Sequence, residues 1–315
     1  MKSDSKSPKT LMEAIKFFAR PGVALEFMAK MRWRNGPFCD RCGEMNPMFL
    51  KSVERWKCRG CRAQFSVKRG TIMEDSPIPL DKWLCAIWMI ANCRNGVSSY
   101  EVARALGVTQ KSAWFMLHRI RLAMQAGTVE KIGGTIETDE TFIGGKVRKM
   151  NRAARRAAGN RKGPSGKAVV SGVLERNGEI RARVLPDVGK DSVQANIREH
   201  VEPGSRLFTD SSGVYAGLEK EFTVRSVNHE QGEYARQDVH TNSIENFWSL
   251  LKRGLGGTYI NVEPFHLFRY VDEQVFRFNR RKESDGTRFS QLLSQLAGKR
   301  LTFKALIGGV EPQTC

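Results

Sequence analysis

The chain of 315 residues contains no run of 18 apolar residues, and no apolar signal core follows its first residues. A helix that crosses a bilayer needs about 20 predominantly apolar residues, so we expect a cytoplasmic protein with no membrane partner. Histidine is scarce as well. Four of the five histidines, His118, His200, His229 and His266, are scattered, and we expect them on the surface rather than in a catalytic or metal-binding cluster.

Acidic residues are few, with 33 Asp and Glu against 52 Lys and Arg. The resulting net charge of +19 favours a polyanionic partner, and nucleic acid is the commonest such partner. The alternative is a solvated basic surface without a ligand. A chain of this length has room for two or three domains.

Four of the seven cysteines form two C-x2-C pairs, Cys39 with Cys42 and Cys58 with Cys61, separated by fifteen residues. Four thiolates at this spacing are typical of a tetrahedral zinc site. A disulfide framework is the alternative for the pairs, and iron would use the same four ligands. Because about thirty residues cannot bury a core, residues 36–70 are predicted to be a small ribbon stabilised by one structural Zn²⁺. Its basic side chains favour nucleic acid.

Helical periodicity flanks this ribbon on both sides. Residues 1–35 are predicted to be a helical segment, interrupted at Pro21 and Gly22. Within 78–130 an apolar helix over Leu80–Asn92 precedes two short helices separated by Gly107, a pattern typical of a helix-turn-helix domain. The residues that would enter a major groove are Gln110, Lys111 and Ser112. An ordinary helical hairpin is the alternative.

From about residue 133 the periodicity becomes that of strands, so the chain is predicted to be an α/β protein with a mixed sheet and flanking helices. The predicted strands are Thr135–Ile143, Ala168–Glu175, Glu179–Leu185, Leu207–Asp210 and Thr223–Val227. The predicted helices are Asp191–Val201, Gly213–Glu221 and Val239–Gly254. The segment Lys146–Lys167 has nine basic and no acidic residues, and is predicted to be mobile until it binds a phosphate backbone.

Three carboxylates are candidates for a shared site. Asp139 lies on the first strand and Asp210 ends the fourth, and these strands are expected to be neighbours. Glu245 lies on the last helix, which would cross both. The alternative is that Asn242 caps this helix and Glu245 completes a capping box. Glu140 should face away, because successive side chains of a strand alternate.

The element order and the Asp–Asp–(34 residues)–Glu spacing resemble the RNase H-like core of DDE transposases and retroviral integrases. The motifs Thr138–Gly145, Thr209-Asp210 and His240–Gly254 more narrowly resemble bacterial insertion-sequence transposases with an N-terminal zinc ribbon, related to the Merlin elements. Some members use Asn at the third position, which Asn242 could supply. Glu245 is preferred, because a carboxylate neutralises a divalent cation and an amide does not.

The resemblance implies a transposase that binds terminal inverted repeats and catalyses cleavage and strand transfer. Its cofactors would be two Mg²⁺ or Mn²⁺ ions at Asp139, Asp210 and Glu245. Its partner would be double-stranded DNA, as element end and as target, bound by a homodimer or larger assembly at the nucleoid. Further DNA contacts are expected from Lys252, Arg253, Arg280 and Arg281, and Arg277 is expected to face DNA with them.

Two other functions are compatible with the same residues. One is a sequence-specific DNA-binding regulator, in which the ribbon and the helix-turn-helix do the work. The other is an RNase H-type nuclease or resolvase without strand transfer. In each case the domains would be 1–35, 36–70, 78–130, the α/β domain 131–285 and a helical tail 286–315.

Overall fold

The computed structural model describes residues 8–125, 130–144, 167–210, 212–227 and 240–308. The chain divides into two compact units, one of Met1–Met124 with Lys282–Cys315 and the other of Gln125–Arg281. Residues 146–166 of the predicted mobile segment lie outside the described residues. None of the helices in the described ranges has the length and apolar character that crossing a bilayer requires.

The helices of the described residues are α1 (Leu11–Phe18), α2 (Val23–Arg32), α3 (Leu80–Asn92), α4 (Ser99–Leu106), α5 (Gln110–Met124), α6 (Lys190–His200), α7 (Asn242–Arg253), α8 (Leu267–Asn279), α9 (Asp285–Ser294) and α10 (Phe303–Leu306). The strands are β1 (Met48–Leu50), β2 (Arg55–Lys57), β3 (Gln64–Phe65), β4 (Thr135–Ile143), β5 (Ala168–Glu175), β6 (Ile180–Leu185), β7 (Arg206–Asp210) and β8 (Thr223–Val227).

In the first unit, helices α1, α2, α3 and α9 share an aromatic core. Phe289 of α9 lies 4.9 Å from Trp88 of α3 and 5.9 Å from Phe18 of α1, measured between ring centroids. The predicted interruption between α1 and α2 is confirmed. Gly22 precedes α2 with φ +75°, a conformation that glycine adopts without steric cost.

The predicted helix pair α4–α5 is confirmed and packs against α3. Ser98 and Glu101 form a capping box at the start of α4, and Gly107 ends that helix with φ +59°. The Thr109 hydroxyl accepts a hydrogen bond from the Ser112 N–H at the start of α5. His118 of α5 is fully buried rather than on the surface, because α5 is covered on all sides from its second turn onward.

The ribbon is a three-stranded antiparallel sheet in the order β1-β2-β3. Trp56 of β2 packs edge-on against Trp33, with ring centroids 4.9 Å apart, which attaches the ribbon to the end of α2. The pair is buried, so an aromatic contact adds to whatever folding energy a metal supplies.

The second unit contains a mixed sheet, in the strand order β6-β5-β4-β7-β8 within the described residues. Strands β4, β5 and β6 are antiparallel, and β7 and β8 run parallel to β4. The predicted mixed sheet and the adjacency of the Asp139 and Asp210 strands are confirmed. At the β5–β6 turn Asn177 has φ +64°, a conformation that asparagine adopts more readily than most other residues, and Gly178 follows it.

Each face of this sheet carries its own apolar core. On one face Ile136 and Val173 pack against Val193 and Ile197 of α6. On the other, Val170 and Leu174 pack against Ile244, Trp248 and Leu251 of α7 and against residues of α8. Alternate residues of β4 and β5 therefore point to different helices, and this alternation decides which side chains meet α7.

One predicted helix is wrong. The segment Gly213–Glu221 forms two short 3-10 turns, Gly213–Tyr215 and Leu218–Lys220, rather than one α-helix. Gly217 lies between them with φ +96°, which a right-handed helix cannot accommodate. Helix α7 also begins at Asn242 rather than at Val239, which lies outside the described residues.

Candidate active site and cysteine cluster

Asp139 lies on β4, on the sheet face that α7 covers. Its Oδ2 accepts a hydrogen bond of 3.0 Å from the indole Nε1 of Trp248. Burial raises the pKa of Asp139 to about 6, and the negative charges of Asp210 and Glu245 add to the rise. The backbone N–H of Glu140 and the Trp248 indole act in the opposite direction.

Asp210 ends β7, next to β4 in the sheet. Its side chain is half-buried, and its Oδ1 accepts a hydrogen bond of 3.0 Å from the N–H of Ser212. Glu245 is exposed on the first turn of α7, where its Oε1 accepts a hydrogen bond of 2.9 Å from the Thr241 hydroxyl. Asp210 and Glu245 are therefore each oriented by a hydrogen bond from a residue that is nearby in the sequence.

The predicted alternative, a capping box from Asn242 to Glu245, is wrong. The N–H of Glu245 bonds the carbonyl of Thr241, which makes Thr241 the capping position. The cap hydrogen bonds come instead from Glu137, a fully buried residue of β4. Its carboxylate accepts from the N–H groups of Ser243 at 2.9 Å and Ile244 at 3.0 Å.

Our sequence analysis missed Glu137. The signal that could have found it is strand alternation, because Glu137 lies two residues before Asp139 and so faces the same helix. What the sequence could not show is that the start of α7 would lie over that position. The carboxylate also accepts a 3.0 Å hydrogen bond from Nε of Arg176, which balances its buried charge.

Glu140 faces away from α7, as the alternation predicts. It accepts hydrogen bonds from the Ser171 hydroxyl at 3.0 Å and the Tyr215 hydroxyl at 2.9 Å. Burial raises the pKa of Glu140 to about 7, although these two donors lower it. The charges of Asp139 and Asp210 contribute to the rise, so Glu140 lies within electrostatic range of both.

The four paired cysteines converge, with all sulfur atoms within 4.8 Å of one another. The Sγ atoms of Cys39 and Cys61 are 3.6 Å apart, and those of Cys42 and Cys58 are 3.5 Å apart. A tetrahedral zinc with bonds of about 2.3 Å requires a separation of about 3.8 Å. The cluster therefore fits a structural zinc ion. In the described ranges, Asp139, Asp210 and Glu245 form no group this compact.

Comparison with known proteins identifies two domains of the chain. The ISXO2-like transposase domain matches residues 131–279, and the transposase zinc-ribbon domain matches residues 22–64. An uncharacterized transposase-like protein of Haemophilus influenzae is 33% identical over 97 residues, covering 30% of this chain and 77% of that protein. The chain belongs to the ISXO2-like transposase family.

Two further similarities accompany this assignment. An uncharacterized protein of the transposable element ISH50 of Halobacterium salinarum is 27% identical over 284 residues, or 84% of this chain and 95% of that protein. Among solved structures, a pre-cleavage Mos1 transpososome covers 69% of this chain and 79% of the matched chain. Its sequence identity is 11% and its TM-score is 0.25.

In this ISXO2-like transposase, the predicted DNA contacts of the second unit have different environments. Lys252 and Arg253 are exposed at the end of α7. Arg280 and Arg281 lie over the rings of Phe276 and Phe278, at 4.4 and 4.1 Å from their centroids. Both residues follow directly after α8, and Nη1 of Arg281 also donates a 2.8 Å hydrogen bond to the carbonyl of Phe278.

The expectation that Arg277 of the transposase faces DNA is wrong. Its side chain is 8% exposed and forms an ion pair with Glu273, which is fully buried. Burial lowers the pKa of Arg277, but the charges and hydrogen bonds of Glu273 and Tyr259 together raise it above its usual value. The residue lies on the inner face of α8, one helical turn after its partner.

The predicted groove-reading residues of the transposase lie at the start of α5. Gln110 is half-buried and donates a 2.9 Å hydrogen bond to the Ser99 hydroxyl. Lys111 is exposed, with Nζ 5.1 Å from the ring centroid of Phe303 in α10. Ser112 is half-buried beside Thr109. Lys111 is therefore the only one of these three side chains that is exposed.

Proposed function

We propose that the protein binds the terminal inverted repeats of a mobile element and catalyses metal-dependent DNA cleavage and strand transfer at Asp139, Asp210 and Glu245. The observation that carries the proposal is that Asp210 and Glu245 lie close enough to the buried Asp139 for their charges to add to the rise that burial causes in its pKa. A buried carboxylate whose ionised form is disfavoured both by burial and by two neighbouring negative charges is unfavourable without a cation. This supports a divalent-ion site in a family of transposases.

The chemistry of the donor set supports Mg²⁺ or Mn²⁺. All three side chains offer carboxylate oxygens, which hard cations prefer over nitrogen or sulfur. When bound, two such ions would activate the attacking oxygen and stabilise the leaving oxygen of an in-line displacement at phosphorus. Asp139 would offer Oδ1, because its Oδ2 accepts the indole hydrogen bond from Trp248.

The proposed reaction has two stages at one site. Water is the first nucleophile and frees a 3′-OH at the end of the element. That 3′-OH then attacks a phosphodiester of target DNA, so the element end becomes joined to the target 5′-phosphate while the P–O3′ bond of the target breaks and its 3′-oxygen leaves as a 3′-OH. Asp139 and Asp210 are the principal metal-binding residues, and Glu245 completes the set.

DNA binding is assigned to both units of the chain. The proposed contacts are Gln110, Lys111 and Ser112 in the helix-turn-helix domain 78–130, and Lys252, Arg253, Arg280 and Arg281 in the catalytic domain 131–285. The zinc-binding ribbon, residues 36–70, adds basic surface for DNA. The helical segments 1–35 and 286–315 support this ribbon. Two element ends must be brought together, so the acting form is a homodimer or larger assembly, working on the nucleoid.

The test is a cleavage and strand-transfer assay with the repeats that flank the gene. Asp139→Asn, Asp210→Asn and Glu245→Gln should each abolish Mg²⁺-dependent cleavage while end binding stays intact. Asn242→Ala is the matched control on the same turn of α7 and should still cleave. Full cleavage by Glu245→Gln, together with loss of cleavage in Asn242→Ala, would show that Asn242 rather than Glu245 is the third metal-binding residue.

Wild-type behaviour separates the other two functions. Tight end binding with no Mg²⁺-dependent nicking would indicate a DNA-binding regulator. Cleavage without any joined product would indicate a nuclease or resolvase. Either result would contradict the transposase chemistry proposed above.

A further inference from the structure

We propose that Glu137 and Trp248 are positioning residues that hold Glu245 in a fixed relation to Asp139. The inference deepens the proposed function, because it takes Asp139 and Glu245 as ligands of the same metal site. It concerns two side chains that bind no metal themselves. Each takes part in hydrogen bonding between β4 and α7, the two elements that carry these carboxylates.

The first bond is at the start of α7. The N-terminal N–H groups of a helix have no partner within the helix, and they carry a partial positive charge. Glu137 supplies that partner from 106 positions away, through the N–H of Ser243. It accepts from the N–H of Ile244 and from the Ser243 hydroxyl as well. Three hydrogen bonds to one carboxylate thus fix the first turn of α7 on β4.

Arg176 balances the charge of Glu137 and also contacts other elements of the site. Arg176 donates from Nε to Glu137 and from Nη2 to the carbonyl of His240, both at 3.0 Å. Its guanidinium lies 4.6 Å from the ring centroid of Phe208, two residues before Asp210 on β7. One buried ion pair therefore connects β4, β7 and the segment that leads into α7.

The second bond is one turn further along α7. Trp248 is 3% exposed and donates its indole N–H to Oδ2 of Asp139, 109 positions earlier in the chain. Glu245 lies between the two attachment points, one residue after Ile244 and three before Trp248. With both attached, α7 can neither slide nor rotate on β4 without breaking a buried hydrogen bond.

Residues that orient metal-binding carboxylates affect the affinity of those carboxylates for the ion. Residues that orient metal ligands change metal affinity by about 10- to 100-fold when they are removed. The indole bond also decides which oxygen of Asp139 is available. Loss of either attachment should therefore weaken metal binding more than it weakens DNA binding.

The experiment measures Mn²⁺ binding to the full-length protein directly, from the loss of the free-ion electron paramagnetic resonance signal. Glu137→Gln and Trp248→Phe should each weaken binding by about 10- to 100-fold. The Mn²⁺ concentration for half-maximal cleavage should rise by the same factor, while affinity for element ends stays unchanged. Trp248→Phe leaves the Glu137 hydrogen bonds in place, so it carries the test if Glu137→Gln does not fold.

Two matched variants separate positioning from general loss of stability. Glu273→Gln removes another fully buried carboxylate of the same unit, also paired with an arginine. Trp88→Phe shortens another buried tryptophan, in the other unit. Both should lower stability without changing Mn²⁺ affinity. The inference is overturned if Glu137→Gln and Trp248→Phe bind Mn²⁺ like the wild type, or if the control variants weaken it equally.

Asp139→Asn distinguishes this failure from a failure of the proposed function. If Asp139→Asn loses Mn²⁺ binding while the positioning variants keep it, the metal site stands and the positioning role is wrong. If Asp139→Asn binds Mn²⁺ as tightly as the wild type, the metal site itself is wrong.

Discussion

Gly172 of β5 lies directly opposite Asp139 of β4 in the antiparallel pair. A Cβ at position 172 would lie 2.9 Å from the ring of Trp248 and 3.2 Å from Cδ1 of Ile244. No real Cβ comes that close to a ring atom, so the absence of a side chain lets α7 approach the sheet. The indole bond to Asp139 depends on this approach.

Gly172→Ala should therefore displace α7 from the sheet and break the indole hydrogen bond to Asp139. The overpacking is expected to cost about 1–3 kcal/mol of unfolding free energy. Cleavage should fall further than this loss of stability explains, because α7 also carries Glu245. Urea unfolding and single-turnover cleavage measure the two effects.

Gly178→Ala is the control for that substitution. A Cβ there would meet the Glu175 side chain, which is flexible and can move aside. We expect wild-type cleavage and nearly unchanged stability. Equal loss of cleavage in both variants would contradict a special role for the space at Gly172.

The raised pKa of Asp139 predicts a conflict between stability and activity. Its pKa is about 6 in the folded chain against an ordinary value of 3.8. Below pH 3.8 the group is protonated in both the folded and the unfolded chain and costs no stability; the loss of stability grows as the pH rises and reaches about 3 kcal/mol above about pH 6. Asp139→Asn should stabilise the metal-free protein at pH 8, and this gain should shrink as the pH falls towards 4.

Thermal unfolding across this pH range tests the sign of the effect. Addition of Mg²⁺ at pH 8 should stabilise the wild type and leave Asp139→Asn unchanged. At subsaturating Mg²⁺, wild-type cleavage should decline as the pH falls below about 6, since protons then compete with the ion. A variant that is less stable than the wild type at pH 8 would contradict the buried, repelled carboxylate.

The buried pair of Arg277 and Glu273 predicts a strictly structural effect. Arg277→Met leaves Glu273 with an uncompensated charge, which is expected to cost about 3–5 kcal/mol. Glu273→Gln combined with Arg277→Met should recover most of this loss. Arg280→Met, at the half-buried position directly after the same helix, should cost less than about 1 kcal/mol.

Urea unfolding measures these energies, and the salt dependence of DNA binding supplies an independent check. Because Arg277 is buried, its replacement should leave that salt dependence unchanged in the folded protein. A reduced slope would restore Arg277 to the DNA-facing residues that the sequence predicted.

The cysteine cluster predicts one zinc per chain and a ribbon that depends on it. Cys42→Ser should lower the zinc content and unfold the ribbon, because one bond of the tetrahedral set is lost. Elemental analysis and the fluorescence of Trp56 in the ribbon would follow the two events. Cys93→Ser, outside the cluster, should retain the metal, and zinc loss in that variant would contradict the four-cysteine assignment.

Much of this fold could be predicted because it follows from local rules. The strands Thr135–Ile143 and Ala168–Glu175 were predicted with the bounds that the structure has. The capping box at Ser98 depends only on residues within one helical turn. The helix predicted over Gly213–Glu221 is wrong for a local reason as well, because two glycines in nine residues favour turns over one continuous helix.

The candidate site was predictable only in part. Alternation along β4 correctly separated Asp139 from Glu140, which faces Tyr215 on the other side of the sheet. Helical spacing could not show that Arg277 points inwards, since arginine is a residue type that mostly lies on exposed faces. Nor could it show that the cap of α7 comes from Glu137 rather than from a neighbour in sequence.

The sequence by itself determined the elements of this chain, the paired cysteines and the three widely separated acids, because periodicity and spacing act over a few residues. Only the tertiary structure decided that Glu137 and Trp248 join β4 to α7, across 106 and 109 positions. Such contacts depend on where a helix comes to lie on a sheet. That placement is set by close packing around residues such as Gly172, which carry no chemical signal of their own.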